Sequence, residues 1–217
     1  KKRMTYSSSL SDQTGPLILD TSVLINLHAC RRGAEILSAI PNPIVISNIV
    51  AGELDHETSR RNGEKAFLCT LETAGKVSLV DLSDQEFKFF FELTSTSPSL
   101  DDGEAATIAI ARSRGILPVI DEKRGRRRVE QLMRAEAYWS LDILTHPDAI
   151  DFLGADVSRE VLFLALRDGR MRIPPESTQH VVNSIGIDQA RDCTCLPGYK
   201  GLFDVLSASE QQMKLGL

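Results

Sequence analysis

Residues 99–127, "SLDDGEAATIAIARSRGILPVIDEKRGRR", decide the fold. Three acids in four residues (Asp101, Asp102 and Glu104) open an Ala- and Ile-rich helical pattern that Gly115 stops. A short apolar run, 116–120, then ends on another acid, Asp121, with a block of arginines directly behind it. A helix feeding a buried strand is half of a parallel β-α unit. Carboxylates placed where strands end and helices begin make a poor core, but they suit a divalent cation.

The same grammar recurs outward from this stretch. "PLILDTSVLINL" (16–27) predicts a buried strand, a turn at Asp20 and a helix. "NPIVISNIV" (42–50) predicts a second strand, with Pro43 at its start, where a missing N–H is tolerated. Residues 51–77 are helical in pattern with a break near Asn62-Gly63, and "VSLVDL" (77–82) is a third strand. Ser83 and Glu86 form a capping box for a helix over 83–95. The helix from about 101 to 113 leads to the fourth strand, 116–120, and a last helix is expected over 126–139. The fold class is therefore α/β: an α/β/α sandwich around a central parallel sheet of about four strands, plus a helical C-terminal extension. The expected organisation is a flexible leader (1–15), an α/β domain (16–145), and a helical extension with a loose polar tail (146–217).

Composition narrows the function classes. The 217 residues are 42% hydrophobic and 25% charged, ordinary for a soluble globular protein, and the net charge of -5 excludes a molecule that is basic overall. A local basic patch remains compatible with that sum. No apolar run reaches the roughly 18 residues of a membrane span. The N-terminal "KKRMTYSSSLSDQTG" has no apolar signal core behind its basic residues, so a cytoplasmic protein is expected. Cys30, Cys69, Cys193 and Cys195 lack zinc-ligand spacing and read as reduced thiols. The four histidines are scattered, and neither glycine-rich nucleotide-binding motif is present.

Four acids fall at one end of the predicted sheet: Asp20 after the first strand, Glu53 just past the second, Glu104 in the first turn of the helix before the fourth, and Asp121 after the fourth. In an open α/β sheet, ligands bind outside the carboxyl ends of the strands. Clustered carboxylates resist ionising together, and a hard cation such as Mg²⁺ or Mn²⁺ relieves that cost. Such an ion orients and acidifies water beside a phosphate, so phosphodiester hydrolysis is the natural chemistry. Each acid also has a structural reading. Glu104 stands three residues after Asp101, as in a capping box; Asp102 complements a helix dipole; Asp121 suits a turn; Glu53 suits a solvated face. Asp20 is the hardest to explain without a site, and Thr21 and Ser22 after it can cap the next helix or hydrogen-bond a carboxylate. The run Lys123, Arg124, Arg126, Arg127 and Arg128 opposes the dipole of the helix it opens, which fits either phosphate binding or a solvated basic face.

"LILDTSVLINL", "VISNIVAGEL", "LDDGEAATIAIA" and "LPVIDEKRGRR", in this order and spacing, resemble the PIN-domain ribonucleases over roughly residues 16–140. The branch they look most like is the VapC-like toxins, with their D-x-G-E-A third motif. The resemblance implies a PIN-like fold with Asp20, Glu53, Glu104 and Asp121 as catalytic metal-binding acids. It implies Ser22 as the hydroxyl beside the first acid and Asp101 as the acid preceding the G-E-A turn. It implies a Mg²⁺- or Mn²⁺-dependent endoribonuclease acting on RNA and leaving a 3'-hydroxyl and a 5'-phosphate. Family members often dimerise and are often silenced by an antitoxin. Two competing readings remain. A haloacid-dehalogenase phosphatase would need an acid at position 22, where Ser22 stands; a PIN-like scaffold would bind RNA or a protein without cleaving.

Overall fold

The computed structural model describes residues 8–203. Strands β1 (Leu17–Leu19), β2 (Ile44–Ser47), β3 (Ser78–Val80) and β4 (Leu117–Val119) form one sheet in the order β3-β2-β1-β4, with every pairing parallel. Helices α1 (Thr21–Ala29) and α2 (Gly33–Ala39) join β1 to β2. Helices α3 (Asn48–Glu53), α4 (Glu57–Asn62) and α5 (Glu64–Thr73) lead to β3; α6 (Asp84–Ser95) and α7 (Asp102–Arg114) lead to β4. The fold is the expected α/β sandwich of PIN-like topology.

Side-chain alternation explains the layers. On β1, Leu17 and Leu19 join the principal core with Val23, Leu24 and Leu27 of α1, while Ile18 packs on the other face with Ile110, Ala111 and Ile116. Helix α7 is buried at nine successive positions, Gly103 to Ala111, and touches α3, α6, β1, β2 and β4. Its small residues let neighbours approach closely on every side.

Two element ends differ from the sequence expectation. Strand β2 stops at Ser47, whose hydroxyl accepts the Val50 amide at 3.1 Å and so caps α3; the β-branched "NIV" is helical despite its propensity. Helix α8 (Lys123–Met133) begins three residues before the expected Arg126 and ends at Arg134, which has φ +52°. The chain then returns beside β4. The Tyr138 amide donates to Pro118 at 2.8 Å, and its carbonyl accepts from Ile120 at 2.9 Å. That pairing covers an otherwise open sheet edge.

Helices α9 (Ser140–Leu144), α10 (Pro147–Leu153), α11 (Ala155–Arg167), α12 (Thr178–Ile185) and α13 (Ile187–Ala190) follow. Buried Val161 to Leu166 of α11 and Val181, Val182 and Ile185 of α12 share the principal core with β1 and α1, so that core runs on past residue 145. Two residues of the expected leader are buried: Leu10 is fully buried, and Ser8 donates its hydroxyl to the Asp142 carbonyl at 2.7 Å. Cys193 and Leu196, beyond α13, are buried too. Residues 1–7 of the leader and 204–217 of the tail lie outside the described residues. All four cysteines are free thiols. Among the described residues no helix is long and apolar enough to cross a membrane.

Candidate functional site

The strand order changes direction at β1. The chain moves from β1 to β2 and β3 on one side and returns to place β4 on the other. This switch point opens a crevice at the carboxyl ends of β1 and β4, the preferred ligand position in such sheets. Asp20 follows β1 directly, and Asp121 lies two residues after β4. Both are 3% exposed, too little for ordinary turn residues.

Asp20 is the N-cap of α1 and accepts the Ser22 hydroxyl at 2.8 Å. Burial pushes its carboxyl up to about 7; the Ser22 hydrogen bond pulls it down, while nearby Asp101 and Glu53 push it further up. Asp101 is the N-cap of α7 and accepts the Glu104 amide at 2.8 Å. The reciprocal half of a capping box is missing. The Glu104 carboxylate turns inward, and both its oxygens are buried without a hydrogen-bond partner. Burial, then the charges of Asp101, Asp20 and Glu122, raise Glu104 to about 7. The capping explanation therefore accounts for Asp101 and leaves the Glu104 side chain unexplained.

Glu53 ends α3 and reaches the start of α7, where one oxygen accepts the Gly103 amide at 2.7 Å and the other the Thr21 hydroxyl. Its carboxyl is raised by burial, with Asp101 and Asp102 adding to the effect. Asp20, Glu53 and the Asp101–Glu104 pair thus form one mutually repelling group drawn from three separate stretches of chain.

Asp121 stands on the same sheet edge but has its own cradle. Its oxygens accept the Ser140 amide at 2.8 Å, the Ser140 hydroxyl at 2.6 Å and the Asn26 amide at 2.7 Å. Burial raises it to about 6 against those hydrogen bonds, and the nearby charge of Arg126 lowers it.

Two glycines make room for these acids. A Cβ at Gly103 would stand 2.5 Å from a Glu53 oxygen, and one at Gly125 would stand 2.8 Å from a Glu104 oxygen. Within helices, glycine costs about 1 kcal/mol relative to alanine, so both positions favour close approach over helix stability. Gly103→Ala is accordingly expected to displace Glu53 and cut any hydrolytic activity of the site more than tenfold, while the melting temperature changes little because alanine favours the helix. Initial rates and thermal melts of the variant check this.

With the geometry in place, the comparison with known families is decisive: the profile of a PIN-domain family matches residues 16–186. The chain belongs to the PIN-domain family. PIN domains are typically nucleases and typically bind divalent metals. The match takes in α10, α11 and α12, helices beyond residue 145 that share the principal core. No curated protein matches the chain.

The donors fit the PIN-domain cation in kind: they are oxygen-only, they repel one another, and they include a buried carboxylate with neither oxygen satisfied. Among the described residues, no three His, Cys, Asp or Glu side chains stand together as a ready cage. Mg²⁺ usually needs only one or two carboxylates, with water and phosphate completing its shell.

The basic run divides. Arg126 donates to the Ile120 and Tyr138 carbonyls at 2.9 and 3.0 Å and lies 3.6 Å from the Trp139 ring centroid, so it clamps the chain beside β4. Arg124 and Arg128 bond the Ser99 and Pro98 carbonyls ahead of α7. Lys123 and Arg127 are exposed and line a cleft of ≈ 880 Å³ that starts at Asp121 and takes Arg170 from beyond α11. The cleft also carries Glu130, Glu136 and Glu176, so it is not uniformly basic.

Sequence reasoning missed Asn26, Ser140 and the two glycines. Asn26 had a signal: it is a lone amide in an apolar helix, four residues and one turn after Ser22. Gly103 and Gly125 signalled by breaking helix preference. Ser140, 19 residues from Asp121, had none.

Proposed function

We propose that this PIN-domain protein is a Mg²⁺- or Mn²⁺-dependent endoribonuclease of the VapC-like branch, cytoplasmic, and the toxin of a toxin–antitoxin or defence system. One observation carries the reading: Glu104 is buried at the sheet's switch point beside buried Asp20, whose charge adds to the rise of its carboxyl, and among the described residues neither Glu104 oxygen has a hydrogen-bond partner. Asp20, Glu53, Glu104 and Asp121 would hold the ion, which when bound would polarise the scissile phosphate and acidify a water. Ser22 orients Asp20. Thr21 and the Gly103 amide fix Glu53. Lys123 and Arg127, exposed at the cleft mouth, would contact the RNA backbone. The preference for RNA, the 3'-hydroxyl and 5'-phosphate products, a homodimer and a silencing antitoxin all rest on the family resemblance.

A second reading, a catalytically silent PIN-like module that binds RNA or protein, draws on the lack of a ready three-acid cage among the described residues. Incubation with mixed RNA separates the two. The nuclease reading expects fragments with Mn²⁺ and none with EDTA; binding without cleavage under both conditions supports the silent module.

A further inference from the structure

We propose that Asn26 is a positioning residue for Asp121, acting with Ser140 and backed by the chain that follows α11. This rests on the metal-dependent reading. The Asn26 side chain is 2% exposed and sits on an otherwise apolar helix, where an amide must be satisfied or it costs stability. Its NH₂ group donates to Asp121 at 2.7 Å and to the Ser140 hydroxyl at 3.2 Å. Ser140 in turn donates to the same Asp121 oxygen at 2.6 Å and supplies its amide to the other oxygen at 2.8 Å. Three groups therefore close a ring in which Asn26 and Ser140 both donate to one carboxylate and Asn26 also donates to Ser140. The ring fixes the rotation of that carboxylate and leaves its remaining lone pairs with a defined direction.

The other end of Asn26 is also constrained. Its Oδ1 packs on Gly169, where a Cβ would stand 2.7 Å away. Gly169 lies just past α11, so a segment remote in sequence closes the back of the site. A purely structural amide would need partners but not these: here both donations go to the candidate ligand or to the residue that holds it.

Groups that orient a metal ligand typically change metal affinity 10–100-fold when removed. The test is Mn²⁺ affinity of the full chain, measured by titration calorimetry or by electron paramagnetic resonance of free Mn²⁺. Asn26→Ala is expected to weaken binding about 10–100-fold. In an Asp121→Asn background the same change is expected to add less than about twofold, because the residue it acts through is already altered. Should Asn26→Ala fail to fold, Ser140→Ala against Ser140→Thr asks the same question: the hydroxyl-retaining variant is expected to bind more tightly. Wild-type affinity in Asn26→Ala, an undiminished loss in the Asp121→Asn background, or equal binding by the two Ser140 variants would overturn the proposal while leaving the nuclease reading intact. A wild-type chain that binds no Mn²⁺ would overturn both.

Discussion

Asp20→Asn is expected to abolish Mn²⁺-dependent RNA cleavage, by on the order of 10³-fold or more, and at the same time to make the metal-free protein more stable at pH 8. The two effects share one cause. Asp20 is buried at the end of β1, and its carboxyl is raised from 3.8 to about 7 by that burial, against the Ser22 hydrogen bond. A group raised in the folded state gives stability that is complete below its unfolded value and is lost as pH rises through its folded value. Above pH 7 the ionised Asp20 therefore costs the fold roughly 4 kcal/mol. Asparagine keeps the shape and carries no charge, so the cost disappears along with the cation ligand. For a chain of this size each kcal/mol is worth about 2–4 °C of melting temperature. Cleavage assays and melts of the same preparation check both effects. Retained cleavage, or a lower melting temperature, would contradict this view of Asp20.

The second large effect is the dependence of stability on pH and metal. In EDTA, the melting temperature is expected to peak near pH 4 and to have fallen by pH 8. Asp20 and Glu104 are raised to about 7 and Asp121 to about 6, all chiefly by burial. Each gives stability that is complete below its unfolded value of about 4 and is lost as pH climbs from there through its folded value, at up to about 1.4 kcal/mol per pH unit. Glu86 works in the opposite sense. It is lowered to about 2, chiefly by its hydrogen bond with Arg114, so its contribution is present above about 4.5 and is lost as pH falls toward 2. The optimum lies between these windows. Mn²⁺ favours the ionised acids, so the stabilisation it gives should grow from pH 6 to pH 8 and vanish on chelation. Melts across this range with MnCl₂ or EDTA measure it. A melting temperature that stays level from pH 5 to 8 in EDTA, or a metal effect that does not grow with pH, would count against the cluster.

The layered fold was legible because its signals are local. Apolar β-branched runs stopped by an acid, and helices stopped by Gly63 and Gly115, place β1, β4, α7 and the end of α4 within a residue or two. The ends of β2 and α8 were not legible for different reasons. A single hydroxyl, Ser47, turns a β-favouring run helical. Arg126, which the sequence presents as a free cation, is spent on two carbonyls and a tryptophan that lie on another part of the chain. Glu104 shows the limit most clearly. Its spacing from Asp101 suits a capping box, and only the inward turn of its side chain, into the space Gly125 leaves, separates that role from a ligand's. Asn26 and Ser140 depend on long-range packing, and sequence spacing does not encode it.

The central claim is that Asp20 and Glu104, with Glu53 and Asp121 nearby, grip one divalent cation at the switch point between β1 and β4. Crystals soaked in MnCl₂ and measured at the manganese absorption edge test it directly. An anomalous peak in contact with Asp20 and Glu104, lost in Asp20→Asn, is the expected result. A bound ion elsewhere, or none at saturating Mn²⁺, would contradict it.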